Sequence, residues 1–118
     1  MTIEACYQRM GGDYGEVLQR LGRAERVERF LRKLPQDESY SLLCAAMERQ
    51  DAAEAFRAAH SMKGICANLG LTRLGRSSAA LSEALRGGAW DGGCAPLFAQ
   101  VSADYDEALS CIRALDAD

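Results

Sequence analysis

The sequence is poor in several residue types, and each scarcity narrows what the chain can do. Its 118 residues include one histidine, two prolines and 7% aromatic residues, and its five cysteines form no CxxC pair. Scattered cysteines of this kind argue against a zinc site or a disulfide framework and favour reduced thiols. The N-terminal stretch MTIEACYQRMGGD also lacks the apolar core of a signal peptide. We therefore expect a cytoplasmic protein.

Charge and hydropathy exclude further classes. The formal net charge of -3 offers no polycationic surface, so we expect no nucleic-acid partner. No apolar run approaches the ~20 residues that a membrane span needs, so we expect no membrane insertion. The glycine-rich stretches MGGDYG and LRGGAWDGG lack the lysine of a phosphate-cradling loop. With no second histidine, no triad and no metal-ligand cluster, we expect neither a cofactor nor independent catalytic turnover.

Local signals divide the chain into helices, because β-branched residues are sparse and no run alternates with the period of a strand. Asp13 followed by Glu16, and Asp51 followed by Glu54, each resemble a capping box at a helix start. Gly70 fits a left-handed cap at the end of the helix that begins after Asp51. The predicted helical segments are 2–10, 13–22, 24–34, 37–47, 51–70, 74–87 and 97–115.

These segments predict an all-α fold. Short connections between amphipathic helices favour antiparallel neighbours, hence an up-and-down antiparallel four-helix bundle with short additional N-terminal helices. The length suits one domain over residues 1–118. We assign residues 24–116 to the bundle and residues 1–23 to an N-terminal helical extension packed on it.

The histidine lies in the helix that begins after Asp51. At ~100° per residue, His60 lies about 130° from the centre of the apolar stripe of its helix and should point outward. Lys63 flanks that stripe, while Gly64 and Ala67 continue the face of His60. A glycine inside a helix costs roughly 1 kcal/mol relative to alanine, so Gly64 needs an explanation. The stripe consists of Ala52, Ala55, Ala59, Met62, Cys66 and Leu69.

An exposed imidazole, a nearby ammonium and a strip of small residues together suit one chemistry. The imidazole of His60 can attack a phosphoryl group, and the Lys63 ammonium can offset the resulting negative charge. The small side chains at Gly64 and Ala67 would let a partner backbone approach closely. Because the chain has nothing to hold ATP, the phosphoryl group must arrive from one protein and leave to another.

The stretch AFRAAHSMKGICANLGLTRL resembles the signature of histidine-containing phosphotransfer (HPt) domains of phosphorelay signalling. In that signature, the histidine is followed by lysine and glycine at the third and fourth positions, then by small residues and a glycine before the next helix. His60, Lys63, Gly64 and Gly70 match it. The resemblance implies phosphorylation of His60 on its outer ring nitrogen, with Lys63 contacting the phosphate and Gly64 leaving room for a receiver domain.

The same resemblance implies the partners: a response-regulator receiver domain, a hybrid histidine kinase, or both, with Mg²⁺ held by the receiver. We include Phe56, Arg57, Gly64 and Ala67 among candidate partner contacts. Phe56 could instead be a shoulder of the core. We expect a free-standing, monomeric carrier.

Two further questions stay open at the level of sequence. Arg57, Arg73 and Arg76 could form a basic rim for an acidic receiver face, or could simply be solvated. An alternative function is an HPt-like docking module that binds a receiver or regulator without carrying phosphate.

Overall fold

The computed structural model describes residues 1–116, and all regular secondary structure in that range is helical. The predicted all-α fold is therefore confirmed; residues 117 and 118 of the predicted domain lie outside the described residues. The helices are α1 (Ile3–Met10), α2 (Tyr14–Leu21), α3 (Ala24–Leu31), α4 (Ser39–Glu48), α5 (Ala52–Leu69), α6 (Thr72–Leu85) and α7 (Cys94–Ala114), with a 3-10 turn at Leu34–Gln36.

The helix starts and stops follow from capping side chains. The Asp13 carboxylate accepts a hydrogen bond from the backbone N–H of Glu16, and Asp51 accepts one from Glu54, each at 3.1 Å. Gly70 has the left-handed conformation, with φ of 68°, and its N–H donates to the carbonyl of Cys66. Both predicted N-terminal caps and the predicted C-terminal glycine of α5 are confirmed.

Helices α4 to α7 form the bundle. Helix α5 packs against α4 on one side and α6 on the other, and α6 packs against α7. Tyr40 of α4 stacks on Tyr105 of α7 with ring centroids 3.9 Å apart, which links the first and last of the four helices. Connections of a few residues on both sides of α5 reverse the chain direction each time, as an up-and-down topology requires.

One predicted helix ends earlier than the sequence pattern indicated. The apolar stripe from Val27 to Leu34 predicted one continuous helix, but α3 ends at Leu31 and Leu34 begins a 3-10 turn. The cause is Pro35, whose ring disfavours the helical conformation in the preceding residue and clashes with the carbonyl one turn back. Asp37 then accepts a hydrogen bond from the N–H of Ser39 at 2.8 Å, where α4 begins.

The N-terminal helices are attached to the bundle at two places. Helix α1 packs against α7, and the Arg9 guanidinium forms an ion pair with Glu107 at 2.6 Å. Helix α2 packs against α3 and lies beside the C-terminal end of α5. All five cysteines are free thiols, and only Cys44 is not fully buried.

Candidate functional site

His60 lies in the middle of α5 on its outer face. Its side chain is exposed, whereas Ala59 and Met62 on either side of it are buried. The predicted outward orientation is thus confirmed. Neither ring nitrogen of His60 has a hydrogen-bond partner among the described residues. The ring is therefore open to an incoming electrophile on its solvent side.

An aromatic neighbour supports the imidazole from one turn earlier. The rings of Phe56 and His60 stack with centroids 6.0 Å apart and an angle of 24° between their planes. Phe56 is half-buried, and its ring packs against the hydrophobic core on the side away from solvent. The Arg86 guanidinium carbon, at the end of α6, lies 5.5 Å from the centroid of the Phe56 ring. Sequence reasoning missed Arg86, because only the packing of α6 on α5 brings it near.

Lys63 is exposed, one turn beyond His60 on the same helix. Its ammonium group has no hydrogen-bond or ion-pair partner within residues 1–116. Arg57 differs, because its guanidinium forms an ion pair and hydrogen bond with Glu54 one turn earlier. Of these two cations near His60, only Lys63 is thus free to approach an anion without breaking an existing pair.

Gly64 has no packing role in the described chain. A Cβ atom built at Gly64 would meet nothing within 4 Å, outside its own helix backbone. At Gly75 of α6, by contrast, a Cβ would lie 3.3 Å from the Cβ of Cys66, so Gly75 allows the two helices to approach. The destabilisation caused by Gly64 is therefore not offset inside the chain, and Ala67 extends the same exposed strip.

The three arginines predicted as a possible basic rim do not act as one group. Arg57 is paired with Glu54, and Arg73 donates to the backbone carbonyl of Arg9 at 3.2 Å. Arg76 is exposed and has no partner among residues 1–116. Only Arg76 remains as a free cation from that prediction.

A groove of about 390 Å³ runs beside the site, between α5 and α6 and below α2. Its floor holds Cys66, whose thiol has its pKa raised to about 12 by burial and so stays protonated and inert. The groove is lined by Glu16, Lys63, Cys66, Ala67, Gly70, Leu71, Thr72, Gly75, Arg76 and Ala79.

The last turn of α5 is tied to the N-terminal segment. The Arg20 guanidinium donates to the carbonyls of Ala67 and Asn68, at 3.2 and 2.6 Å. The Tyr7 hydroxyl donates to the carbonyl of Leu69 at 2.6 Å, and burial raises the pKa of this phenol. The N–H of Asp13 donates to the carbonyl of Gly70 at 2.8 Å.

These bonds satisfy the carbonyl groups that the end of a helix leaves without partners. No local sequence pattern predicts these bonds, since Tyr7 and Leu69 are separated by 62 positions. The N-terminal segment therefore completes the helix that carries His60.

Comparison with protein families gives one match. The model of the Hpt domain family matches residues 25–114. No curated protein and no solved structure matches the chain. Within residues 1–116, no helix combines the length and apolar character needed to cross a bilayer.

Proposed function

Because the chain belongs to the Hpt domain family and has a phosphotransfer-related role in two-component signalling, we propose that His60 is its phosphoacceptor. In this proposal His60 accepts a phosphoryl group from the aspartate of a receiver domain and returns it to the same or another receiver. Hpt domains are carriers rather than catalysts, so the protein has no turnover of its own. A hybrid histidine kinase is a further source of the phosphoryl group.

The transfer exchanges one bond for another without an added reagent. The lone pair of the outer His60 ring nitrogen attacks the phosphorus of the aspartyl phosphate, forming a P–N bond as the P–O bond to the aspartate breaks. The aspartate leaves as a carboxylate, and the proton on the other ring nitrogen stays in place. The Lys63 ammonium offsets the negative charge of the phosphoryl oxygens. Donation to a second receiver is the reverse of these steps.

The observation that carries this proposal is the set of unmet interactions on one face of α5. His60 and Lys63 are exposed and unpaired within the described chain, and Gly64 beside them has open space where a side chain would be. A partner backbone can approach across Gly64 and Ala67. Phe56, which packs against the core, stacks on the imidazole with ring centroids 6.0 Å apart.

The remaining parts of the reaction come from the partner. Mg²⁺ belongs to the acidic site of the receiver, and we assign no residue of this chain to it. We further propose a monomer acting in the cytoplasm, where five free thiols fit the reducing conditions.

A transfer assay tests the proposal directly. A receiver domain carrying radiolabelled phosphate on its aspartate is mixed with the wild type, with His60→Gln, and with Ser61→Ala, an exposed neighbour, as a control. We expect acid-labile, base-stable label on the wild type and on Ser61→Ala, and none on His60→Gln. Binding of a receiver without any label on the wild type would instead support a docking module that carries no phosphate.

A further inference from the structure

Helix α2 lies outside the part of the chain that the family model matches, which begins at residue 25. It nevertheless contributes to the groove that contains Lys63, about one turn from His60 on α5. Glu16 of α2 lines the same groove as Lys63 and Ala67 of α5 and Arg76 of α6. One wall of the groove beside the site therefore comes from a segment outside the family match.

The position of this wall is fixed by hydrogen bonds. Arg20 of α2 donates to two carbonyls in the last turn of α5, and the backbone N–H of Asp13, which caps α2, donates to Gly70. The carbonyl of Asp13 also lies 3.0 Å from the position that a Cβ would take at Gly70. Helix α2 therefore holds a defined place relative to α5.

The two walls carry opposite charges. Lys63 and Arg76 place unpaired cations on the α5–α6 side. Glu16 places a carboxylate on the α2 side, and its closest cation is Arg20 at 3.7 Å, whose guanidinium is already occupied by the carbonyls of α5. Between the walls, the small residues Ala67, Gly75 and Ala79 leave space. A partner that binds in this groove must therefore present acidic groups toward α6 and a basic group toward α2.

We propose that α2 forms one wall of the receiver-docking groove, with Arg76 and Glu16 as the charges that select which receiver domain binds. This inference rests on the proposed function, since the receiver that phosphorylates His60 is the occupant. The acidic phosphorylation site of a receiver faces Lys63 and Arg76, and a lysine or arginine at its edge faces Glu16. Opposite charges on facing walls discriminate between partners because a wrongly placed charge is repelled.

Charge variants with matched controls test this. The second-order rate constant for single-turnover transfer from a receiver that loads the wild type is measured at low and at physiological salt. Glu16→Lys and Arg76→Ala are the test variants. Glu48→Lys on α4 and Arg113→Ala on α7 are their controls, since both side chains are exposed and unpaired in the described chain. Glu16→Gln separates loss of the charge from its reversal.

We expect Arg76→Ala and Glu16→Lys each to lower this rate constant about three- to tenfold at low salt, with a smaller loss at higher salt, as for charges at an interface rim. Glu16→Gln should lie between Glu16→Lys and the wild type, and the controls should match the wild type. Across several receivers, Glu16→Lys should also change the order of preference.

The direction of the Glu16 effect is decisive. If Glu16→Lys raised the transfer rate to the same extent as Glu48→Lys, the added positive charge would act only at long range. The proposal that α2 forms a wall of the docking groove would then be wrong. In that case transfer by the wild type would still support the proposed function. If the wild type took up no label from any receiver, the proposed function itself would fail, and this inference with it.

Discussion

The polar groups at the end of α5 have hydrogen-bond partners, whereas the side chains of His60 and Lys63 in its middle have none in the described chain. In the last turn, Arg20, Tyr7 and the backbone of Asp13 satisfy the carbonyls from Ala67 to Gly70. In the middle, the ring nitrogens of His60 and the ammonium of Lys63 have no partners in the described chain. The two regions lie within three turns of one helix.

Under the proposed function, this contrast marks the face of α5 that contacts another molecule. A helix whose end receives three separate capping groups is not loosely built, so the unmet interactions one or two turns earlier are not a sign of poor packing. They are confined to one exposed face, and Gly64 makes that face less stable than it could be. We infer that the end of α5 is selected for stability and its middle for contact with a partner.

Among variants that keep His60, the largest loss of transfer is expected from filling the open space at Gly64. In Gly64→Gln, the new Cβ meets nothing within 4 Å, and the longer side chain covers part of the exposed strip beside His60. We expect transfer from a receiver to fall by about a hundredfold, because displacing reacting groups by about 1 Å is enough for such a loss. Stopped-flow transfer kinetics measure this.

The matched control is Gly64→Ala, whose methyl group barely extends the surface. We expect it to raise the free energy of unfolding by about 0.5–1 kcal/mol, since alanine is the better helix former and no neighbour is disturbed. Urea denaturation measures this change. A loss of stability in Gly64→Ala would mean that Gly64 serves the fold, and the contrast within α5 would disappear.

The second prediction concerns the end of the helix. Tyr7→Phe removes the hydroxyl that donates to Leu69 and leaves a buried carbonyl without a partner. We expect the free energy of unfolding to fall by about 1–2 kcal/mol. Phosphotransfer by the folded fraction should stay close to that of the wild type. A large loss of transfer in fully folded Tyr7→Phe would show that the two regions are not separable.

The last prediction concerns Lys63, where the expected loss of transfer is smaller than at Gly64. Lys63→Ala should lower the transfer rate about tenfold, less than loss of a buried donor would, because solvent already screens an exposed charge. Stability should be unchanged, since Lys63 contacts no partner in the described chain. Lys33→Ala, which removes the other lysine of the sequence, is the control. If the two variants lowered transfer equally, Lys63 would act only through the overall charge of the surface and not through contact with the phosphoryl group.

Sequence reasoning predicted the features that depend on neighbours along the chain. The caps at Asp13 and Asp51 and the outward angle of His60 follow from helical periodicity and local hydrogen bonding. Pro35 predicts an end to α3, but the apolar stripe places that end at Leu34, whereas the helix ends three residues earlier, at Leu31.

Features that depend on tertiary packing could not be predicted. Nothing in the sequence distinguishes Arg73, which is tied to the carbonyl of Arg9, from Arg76, which is free. The approach of Arg86 to Phe56 likewise follows from how α6 lies on α5. The N-terminal segment is the clearest case, since its capping of α5 joins residues far apart in the chain.

The most direct test of the central claim is to locate the phosphoryl group. The protein is loaded from a phosphorylated receiver, kept at alkaline pH, digested, and examined by tandem mass spectrometry. The account predicts the mass of one phosphoryl group on the His60 side chain, lost on brief acid treatment. A stable phosphoryl group on a serine, or none on wild type that binds the receiver, would contradict it.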